Sequence, residues 1–347
     1  DREERPDLDS IFQKSLGVLT GAQGGWPLSM FLDENAVPFT GGTYFPPQEM
    51  HGRPSFTQVL ENVSKVYSEN REKIIAQVSQ LQMVFKEFNR KNSVLKQDLE
   101  PYAEKIIQYF DEQNGGFKGA PKFPQFYVFD TIFYFYKKNN NLKFLNSVEN
   151  LLKNISSRGI YDHLEGGIAR YTVDEKWIVP HFEKMLYDNI QFILLLAKFL
   201  KVQSNDYFLK KIKQTTNFLN TNFLSKDTYL LGSAFDADSE GEEGKYYVYN
   251  YEELKNIKNI EKFFDIKPEG NWEGKIILDE LKEPSEEIIT QLIKIRKKRK
   301  KPFFDKKNQL DLNCLWVSSL ITLNSIIPGE NYLKAAENFF EKIEKKF

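Results

Sequence analysis

The spacing of hydrophobic residues divides the sequence into a short first part with strands and a long second part made of helices. Residues 27–32 and 37–45 are rich in β-forming side chains and flank a turn, which predicts two paired strands. From Ser55 onward, hydrophobic residues recur at helical spacing, and Ser55 followed by Gln58 is typical of a helix start. The polar stretch 86–100 is the predicted domain boundary.

Helical periodicity dominates the remainder of the chain, although residues 245–251 alternate in bulk and predict a strand. The glycine pairs Gly115-Gly116 and Gly166-Gly167 are 51 residues apart, and each follows a predicted helix. A helical hairpin repeated at this spacing indicates stacked or ring-closed helix pairs. The predicted helices are 102–111, 125–138, 144–157, 181–200, 207–223, 286–299, 312–327 and 332–346.

Composition excludes several classes of protein. The 48 basic and 49 acidic residues leave a formal net charge of −1, which argues against a surface built wholly for nucleic acid or anionic membrane. The single cysteine, Cys314, excludes an internal disulfide and a cysteine zinc cluster. The longest apolar stretch is too short to cross a bilayer. We expect a cytoplasmic protein that binds neither nucleic acid nor membrane, and its oligomeric state stays open.

The segment 161–171 concentrates ionisable side chains around flexible backbone. Its glycine pair allows the main chain to approach a ligand closely. A polar loop with a glycine turn explains the same pattern. The side chains that could point into one pocket are those of Asp162, His163, Glu165 and Arg170.

A second polar cluster occupies residues 177–189. Pro180 fits the first position of a helix, which would place His181, Lys184 and Asp188 along one stripe, with Glu183 elsewhere. Such a stripe beside an apolar face could line a cavity. A solvated helix flank carrying an ion pair is the equally good alternative.

The third cluster is the acidic segment 236–244. Asp236, Asp238 and Glu240 are spaced like the front half of a calcium loop, but Tyr247 stands where the last carboxylate ligand belongs. We therefore expect no metal and no other cofactor. Paired carboxylates are suited to acid–base chemistry on hydroxyl or glycosidic groups. A solvated acidic turn is the alternative.

Two further features have mainly structural explanations. Residues 294–301 contain seven basic side chains, which fit a solvated helix end better than a polyanion site because acidic residues lie just upstream. The Trp26-Pro27 bond, directly before the first predicted strand, is a candidate cis peptide.

Together these segments resemble the YyaL-type proteins, also called spermatogenesis-associated thioredoxin-domain proteins. The resemblance implies an N-terminal thioredoxin-like domain followed by an (α/α) toroid, similar to six-hairpin glycosidases and N-acylglucosamine 2-epimerases. Where the family usually has Gly-Gly-Phe-His-Arg-Tyr, this chain has Ala169 in place of the histidine. The matching segments are residues 1–7, 24–28, 41–47, 115–124, 161–163, 170–174, 179–189 and 237–244.

On this resemblance we predict a mainly α fold: an incomplete toroid preceded by the C-terminal half of a thioredoxin-like α/β domain. Residues 1–90 would be the partial thioredoxin-like domain with its connecting helix, and residues 91–347 the partial toroid of about four hairpins. The family's Cys-x-x-Cys-type motif would lie before the first residue, so the chain is expected to be a fragment.

The resemblance also implies a carbohydrate-active enzyme of epimerase or glycosidase type, acting on a small carbohydrate. The alternative is a non-catalytic or redox-linked binding protein whose thiol site lies upstream. The catalytic candidates are His163, His181, Glu183, Asp188, Asp236 and Asp238. The substrate-binding candidates are Glu165, Arg170, Tyr171 and Trp177.

Overall fold

A computed structural model describes residues 2, 4–22, 24–50, 52–88 and 99–347. The chain divides into two compact units, Asp1–Gln97 and Asp98–Phe347. The domain boundary predicted between residues 90 and 91 lies outside the described residues. In the part of the chain that is described, no helix combines the length and hydrophobicity needed to cross a membrane.

The first unit combines helices with a two-stranded antiparallel sheet, which confirms the predicted strand pair. Ser55 caps the second helix and forms the predicted capping box with Gln58. The Trp26-Pro27 bond is cis, as predicted. The elements are α1 (Pro6–Thr20), β1 (Ser29–Leu32), β2 (Pro38–Gly42), α2 (Phe56–Glu69) and α3 (Arg71–Phe88). Helices α1 and α3 pack on β2, and the buried core is Phe39, Ile74 and Val78.

The second unit is built from helices joined by very short strands. Helix α8 continues into the π-helix Leu219–Phe223, and a 3₁₀ turn covers Ile260–Lys262. The helices are α4 (Glu100–Ile107), α5 (Phe126–Asn139), α6 (Leu142–Ser157), α7 (Leu186–Leu200), α8 (Asp206–Phe218), α9 (Tyr251–Leu254), α10 (Glu286–Arg296), α11 (Leu310–Asn324) and α12 (Tyr332–Lys346). The strands are β3 (Tyr171–Thr172), β4 (Pro180–His181), β5 (Lys184–Met185), β6 (Ala234–Phe235), β7 (Asp238–Ser239), β8 (Glu242–Glu243) and β9 (Phe304–Asp305).

Three helical hairpins, α5–α6, α7–α8 and α11–α12, organise residues 99–347. Their first helices lie side by side, because α7 packs against both α5 and α11. Buried residues therefore cover most of the surface of α7, instead of one stripe. First helices in an inner layer and second helices outside it are the arrangement of an (α/α) toroid, here as part of a ring. The predicted fold class is confirmed.

A turn of the same construction precedes each hairpin. The turns span residues 110–117, 161–168 and 224–231, and in each a single β-bridge joins the first and last residues. The first two contain the predicted glycine pairs, whose φ angles lie between 73° and 93°. A side chain at Gly167 would also meet the ring of Phe218 at 2.6 Å. The repeat inferred from the glycine pairs is therefore real, and the third turn repeats it without glycines.

The predicted helix over residues 181–200 starts too early. Helix α7 begins at Leu186, and the residues before it are extended: β4 pairs with β3, and β5 pairs with β6. Alternation along this extended segment buries Phe182 and Lys184 and leaves His181 and Glu183 partly exposed. His181 and Lys184 therefore point in opposite directions and do not share a stripe. Pairing with distant segments outweighs the local helical pattern.

The strand predicted over residues 245–251 is also wrong. Gly244 has a φ of 70°, and the N–H groups of Tyr247 and Val248 both donate to its carbonyl oxygen. These bonds close a turn in which Tyr246 and Tyr247 lie edge to face. Tyr249 alone within this segment joins a β-bridge, to Ile276.

Candidate functional site

Asp162 anchors a buried ion network at the second repeated turn. Its carboxylate accepts hydrogen bonds from Lys184 Nζ at 2.8 Å and from Arg296 Nη1 at 2.7 Å, and each of these side chains is at most 4% exposed. Although burial opposes ionisation, Arg296 and Lys184 hold the pKa of Asp162 well below its usual range. In the first turn, Asp111 binds the buried Lys122 in the same way, at 2.8 Å. This repetition indicates a structural role for Asp162.

His163 belongs to a second buried network. Its Nδ1 lies 2.9 Å from Glu280 Oε2, and its Nε2 lies 3.2 Å from the carbonyl oxygen of Arg158. Burial and the nearby Lys211 ammonium lower the pKa of His163. Burial acts against the charge of Glu280, but its hydrogen bond from His163 brings the pKa of Glu280 to about 2. Both imidazole nitrogens are therefore engaged with protein groups.

A small cavity lies beside both networks, lined by side chains that include Asp162, His163, Phe182 and Lys184. Its volume of about 30 Å³ holds one or two water molecules, whereas ordinary ligand pockets have roughly 300 Å³ or more. Ala169, at the position where the family usually has histidine, also lines it. A sugar ring does not fit into this cavity.

Glu183, between β4 and β5, faces the other way and meets Arg170. Arg170 Nη1 donates to Glu183 Oε2 at 2.8 Å, and both side chains are about a quarter exposed. Partial burial opposes the charge of Arg170, but Tyr187, Glu183 and Asp188 raise the pKa of its guanidinium. An arginine held this firmly in its charged form can bind an anionic or strongly polar group.

His181 lies in the same exposed region. Its Nδ1 is 2.7 Å from Glu243 Oε1, and the imidazole is about one third exposed. The imidazole stacks on Tyr171 with ring centroids 4.9 Å apart, and Phe123 stacks on Tyr171 at 4.6 Å. Burial, followed by the charge of Glu243, raises the pKa of Tyr171. We call the group Arg170, Tyr171, His181, Glu183, Asp188 and Glu243 the Arg170 cluster.

Other predicted site residues lie outside this cluster. Trp177 is completely buried and donates from Nε1 to the carbonyl oxygen of Asn114 at 2.9 Å. Glu165 accepts from the Tyr246 hydroxyl at 2.7 Å and pairs with Lys301 at 3.2 Å. Each of these side chains joins separate loops. Their predicted role in binding a substrate stays a prediction.

The acidic segment 236–244 folds into a β-hairpin, in which β7 pairs with β8. Asp236 and Asp238 are exposed on it, and neither lines the small cavity. Within the described residues, no group of three or more His, Cys, Asp or Glu side chains is arranged to hold a metal ion. The roles predicted for Asp236 and Asp238 stay predictions.

The basic run 294–301 has a more structural role than a solvated helix end. Arg296 is buried on Asp162, and Arg299 forms two hydrogen bonds of 2.8 Å with Glu253. These pairs join the end of α10 to neighbouring loops.

Sequence reasoning missed Glu243, Glu280 and Arg296. Glu243 lies in the acidic segment that the sequence singles out, but the spacing there drew attention to Asp236 and Asp238. Glu280 lies 117 residues beyond its partner His163, and Arg296 lies 134 residues beyond its partner Asp162, so no local pattern connects either pair.

Known proteins resemble this chain in sequence and in fold. The family model Thioredox_DsbH, described as a protein of unknown function, DUF255, matches residues 1–86. Human spermatogenesis-associated protein 20 is 30% identical over 275 residues, covering 74% of this chain and 35% of the human protein. The chain thus spans about a third of the length of that curated relative.

Solved structures similar to this one include carbohydrate-active enzymes. A family 76 glycoside hydrolase from a bovine Bacteroides thetaiotaomicron strain has a TM-score of 0.46 and 14% identity, covering 72% of this chain and 44% of that chain. The cellobiose 2-epimerase of Spirochaeta thermophila has a TM-score of 0.43 and 15% identity, with coverages of 70% and 54%. Similarity at this level carries no argument about activity.

Fold and sequence together define a class: proteins with a thioredoxin-like first unit followed by helical hairpins of the toroid type. Within that class, the chain resembles the spermatogenesis-associated thioredoxin-domain proteins, as its sequence motifs predict.

Proposed function

We propose that the second unit is a carbohydrate-active enzyme of the epimerase type, with the Arg170 cluster as its active site. The observation that carries this proposal is the grouping of one imidazole, one arginine and two stacked aromatic rings on a partly exposed face. Aromatic rings beside a few polar groups on a partly exposed surface are suited to a small polar ligand with an apolar ring face.

The chemistry of these side chains favours epimerisation over hydrolysis. Glycoside hydrolysis generally needs a carboxylic acid and a carboxylate on the two sides of the scissile bond. In the Arg170 cluster, Glu183 is paired with Arg170, Glu243 is paired with His181, and the charge of Asp188 acts on Arg170. Removal of a proton next to a sugar carbonyl needs a base and a cationic group for the developing oxyanion. His181 would be the base, and Arg170 would stabilise the oxyanion.

Deuterium exchange tests this function directly. The chain would be incubated with a panel of reducing mono- and disaccharides in D₂O, and incorporation at C2 followed by NMR. We expect incorporation with at least one sugar, and a loss of at least about 100-fold in His181→Ala, the scale of a general base. The matched control is Glu330→Gln, which alters an exposed ion pair with Lys213.

Two outcomes would overturn the proposal. The first is no exchange with any sugar, and the second is equal exchange in the chain and in His181→Ala. New reducing ends from glycosides without exchange at C2 would indicate a hydrolase and would likewise contradict the epimerase assignment.

A further inference from the structure

The hairpin of β7 and β8 brings a carboxylate to His181 from 62 residues away in the chain. Its turn residues, Glu240 and Gly241, have φ angles of 56° and 77°, as a type I′ turn requires. Glu240 and Glu242 are engaged by lysines, since Glu240 pairs with Lys245 and Glu242 with Lys275. Glu243 is the hairpin carboxylate that contacts the imidazole.

We propose that His181 and Glu243 form a general-base dyad, in which Glu243 is the positioning residue. Three contacts fix the imidazole ring. Glu243 binds Nδ1 at 2.7 Å, Tyr171 stacks on the ring at an interplanar angle of 20°, and the β3–β4 pairing places His181 directly opposite Tyr171. A ring held at one nitrogen and one face has little freedom to rotate.

The proton positions follow from the chemistry of the partners. An ionised carboxylate can only accept a hydrogen bond, so the proton of the neutral imidazole lies on Nδ1. The lone pair is then on Nε2, and among the described residues no side chain or backbone group is hydrogen-bonded to Nε2. Nε2 is therefore the atom available as a base.

The proton transfer balances without a cofactor. The C2–H bond of the sugar breaks, its proton moves to Nε2, and the electron pair is delocalised onto the carbonyl oxygen. The ionised Glu243 stabilises the resulting imidazolium through Nδ1–H and does not take up the proton itself. The role of the dyad in this proton transfer rests on the proposed function, whereas the hydrogen-bonded pair of His181 and Glu243 does not.

Imidazole ¹⁵N NMR measures the dyad without any substrate. The sequence contains three histidines, so the His181 signals are assigned by their loss in His181→Gln. We expect neutral His181 to carry its proton mainly on Nδ1, and Glu243→Ala to move most of that population to Nε2–H. The matched control is Glu242→Ala, which removes the neighbouring carboxylate of the same strand and should leave the tautomer unchanged.

Kinetics then test the positioning role. We expect Glu243→Ala to lower kcat for C2 exchange by about 10- to 1,000-fold, with little change in KM. This loss of kcat is smaller than that for a buried carboxylate of a catalytic triad, because Glu243 is partly exposed. Glu242→Ala should retain the activity.

The outcomes separate the two proposals. A proton mainly on Nε2 in the unmodified chain, or the same tautomer in Glu243→Ala, overturns the dyad. A tautomer shift with an unchanged kcat overturns the positioning role. If the tautomer shifts as expected and no sugar exchanges, the dyad stands and the epimerase function fails.

Discussion

At the scale of single residues, the ionisable side chains of this protein form two groups with different environments. Asp162 and His163 are buried, and protein groups occupy their hydrogen-bonding atoms. His181 and Glu183 are partly exposed on the opposite side of the extended segment. Burial with complete pairing is typical of a structural network, because an unpaired charge there would be very costly. Partial exposure leaves room for a ligand.

The structural role of Asp162 predicts a large loss of stability in Asp162→Asn. This change keeps the shape of the side chain but leaves Lys184 buried without its paired carboxylate, and it leaves Arg296 with only the more distant Glu165, at 3.7 Å. We expect the free energy of unfolding to fall by about 3–5 kcal/mol. Urea denaturation followed by far-ultraviolet circular dichroism measures it.

Glu330→Gln is the control for Asp162→Asn, because it makes the same chemical change in an exposed pair with Lys213. We expect it to lower the free energy of unfolding far less than Asp162→Asn does, because solvent screens an exposed pair. Similar small losses in both variants would show that the Asp162 network contributes little to stability.

At the scale of elements, the first helix of a hairpin holds the turn that precedes it. Asn189 on α7 accepts the N–H of Ile168 at 2.8 Å and donates to its carbonyl oxygen at 3.2 Å. Asn313 on α11 makes the same two bonds with Leu231, at 2.8 and 3.1 Å. Each asparagine supplies a buried backbone with both a donor and an acceptor, which couples the turn to the helix.

This coupling predicts a local effect of Asn313→Ala. The substitution leaves the buried N–H of Leu231 without its partner, which costs about 1–3 kcal/mol. Hydrogen exchange measured by NMR should show faster exchange at the Leu231 amide. Asn217→Ala, at an exposed position of α8, is the control and should leave that amide unchanged. Unchanged exchange in Asn313→Ala would contradict the coupling.

At the scale of the whole molecule, buried carboxylates link stability to pH. The pKa values of Asp111 and Glu280 are about 2, because Lys122 and His163 respectively outweigh the effect of burial. In the unfolded chain such groups titrate near pH 4. The unfolded state therefore takes up protons first as the pH falls, and stability present above about pH 5 is lost toward pH 2. The lowered pKa of His163 also makes the protein less stable as the pH falls, but from a higher pH, because an unfolded histidine takes up its proton near pH 6.5.

We therefore expect the Tm to fall steadily between about pH 6 and pH 3. Glu280→Gln should lower the Tm at pH 6 and flatten its dependence below pH 5, because the titrating group is gone. Thermal unfolding followed by circular dichroism at a series of pH values measures both effects. A Tm independent of pH, or an unchanged slope in Glu280→Gln, would contradict this linkage.

Much of the fold was predictable because it depends on neighbouring residues. Hydrophobic spacing located the helices of the three hairpins, and the glycine pairs indicated their repeat, because only certain residues allow positive φ in so tight a turn. Family motifs also identified most members of the Arg170 cluster. The single cysteine was sufficient by itself to exclude a disulfide within this sequence.

Long-range pairing decided the rest. Residues 181–185 have a helical pattern, yet they are extended because β4 and β5 find strand partners elsewhere in the chain. That change places His181 beside Glu243 and Lys184 beside Asp162, on opposite sides of the backbone. The same spacing along the chain places residues on one face of a helix but on opposite faces of a strand. Which residues share a face can therefore be inferred only when the backbone conformation is known. Contacts between residues 62 or more apart, as for His181 and Glu243, come from packing of the complete fold.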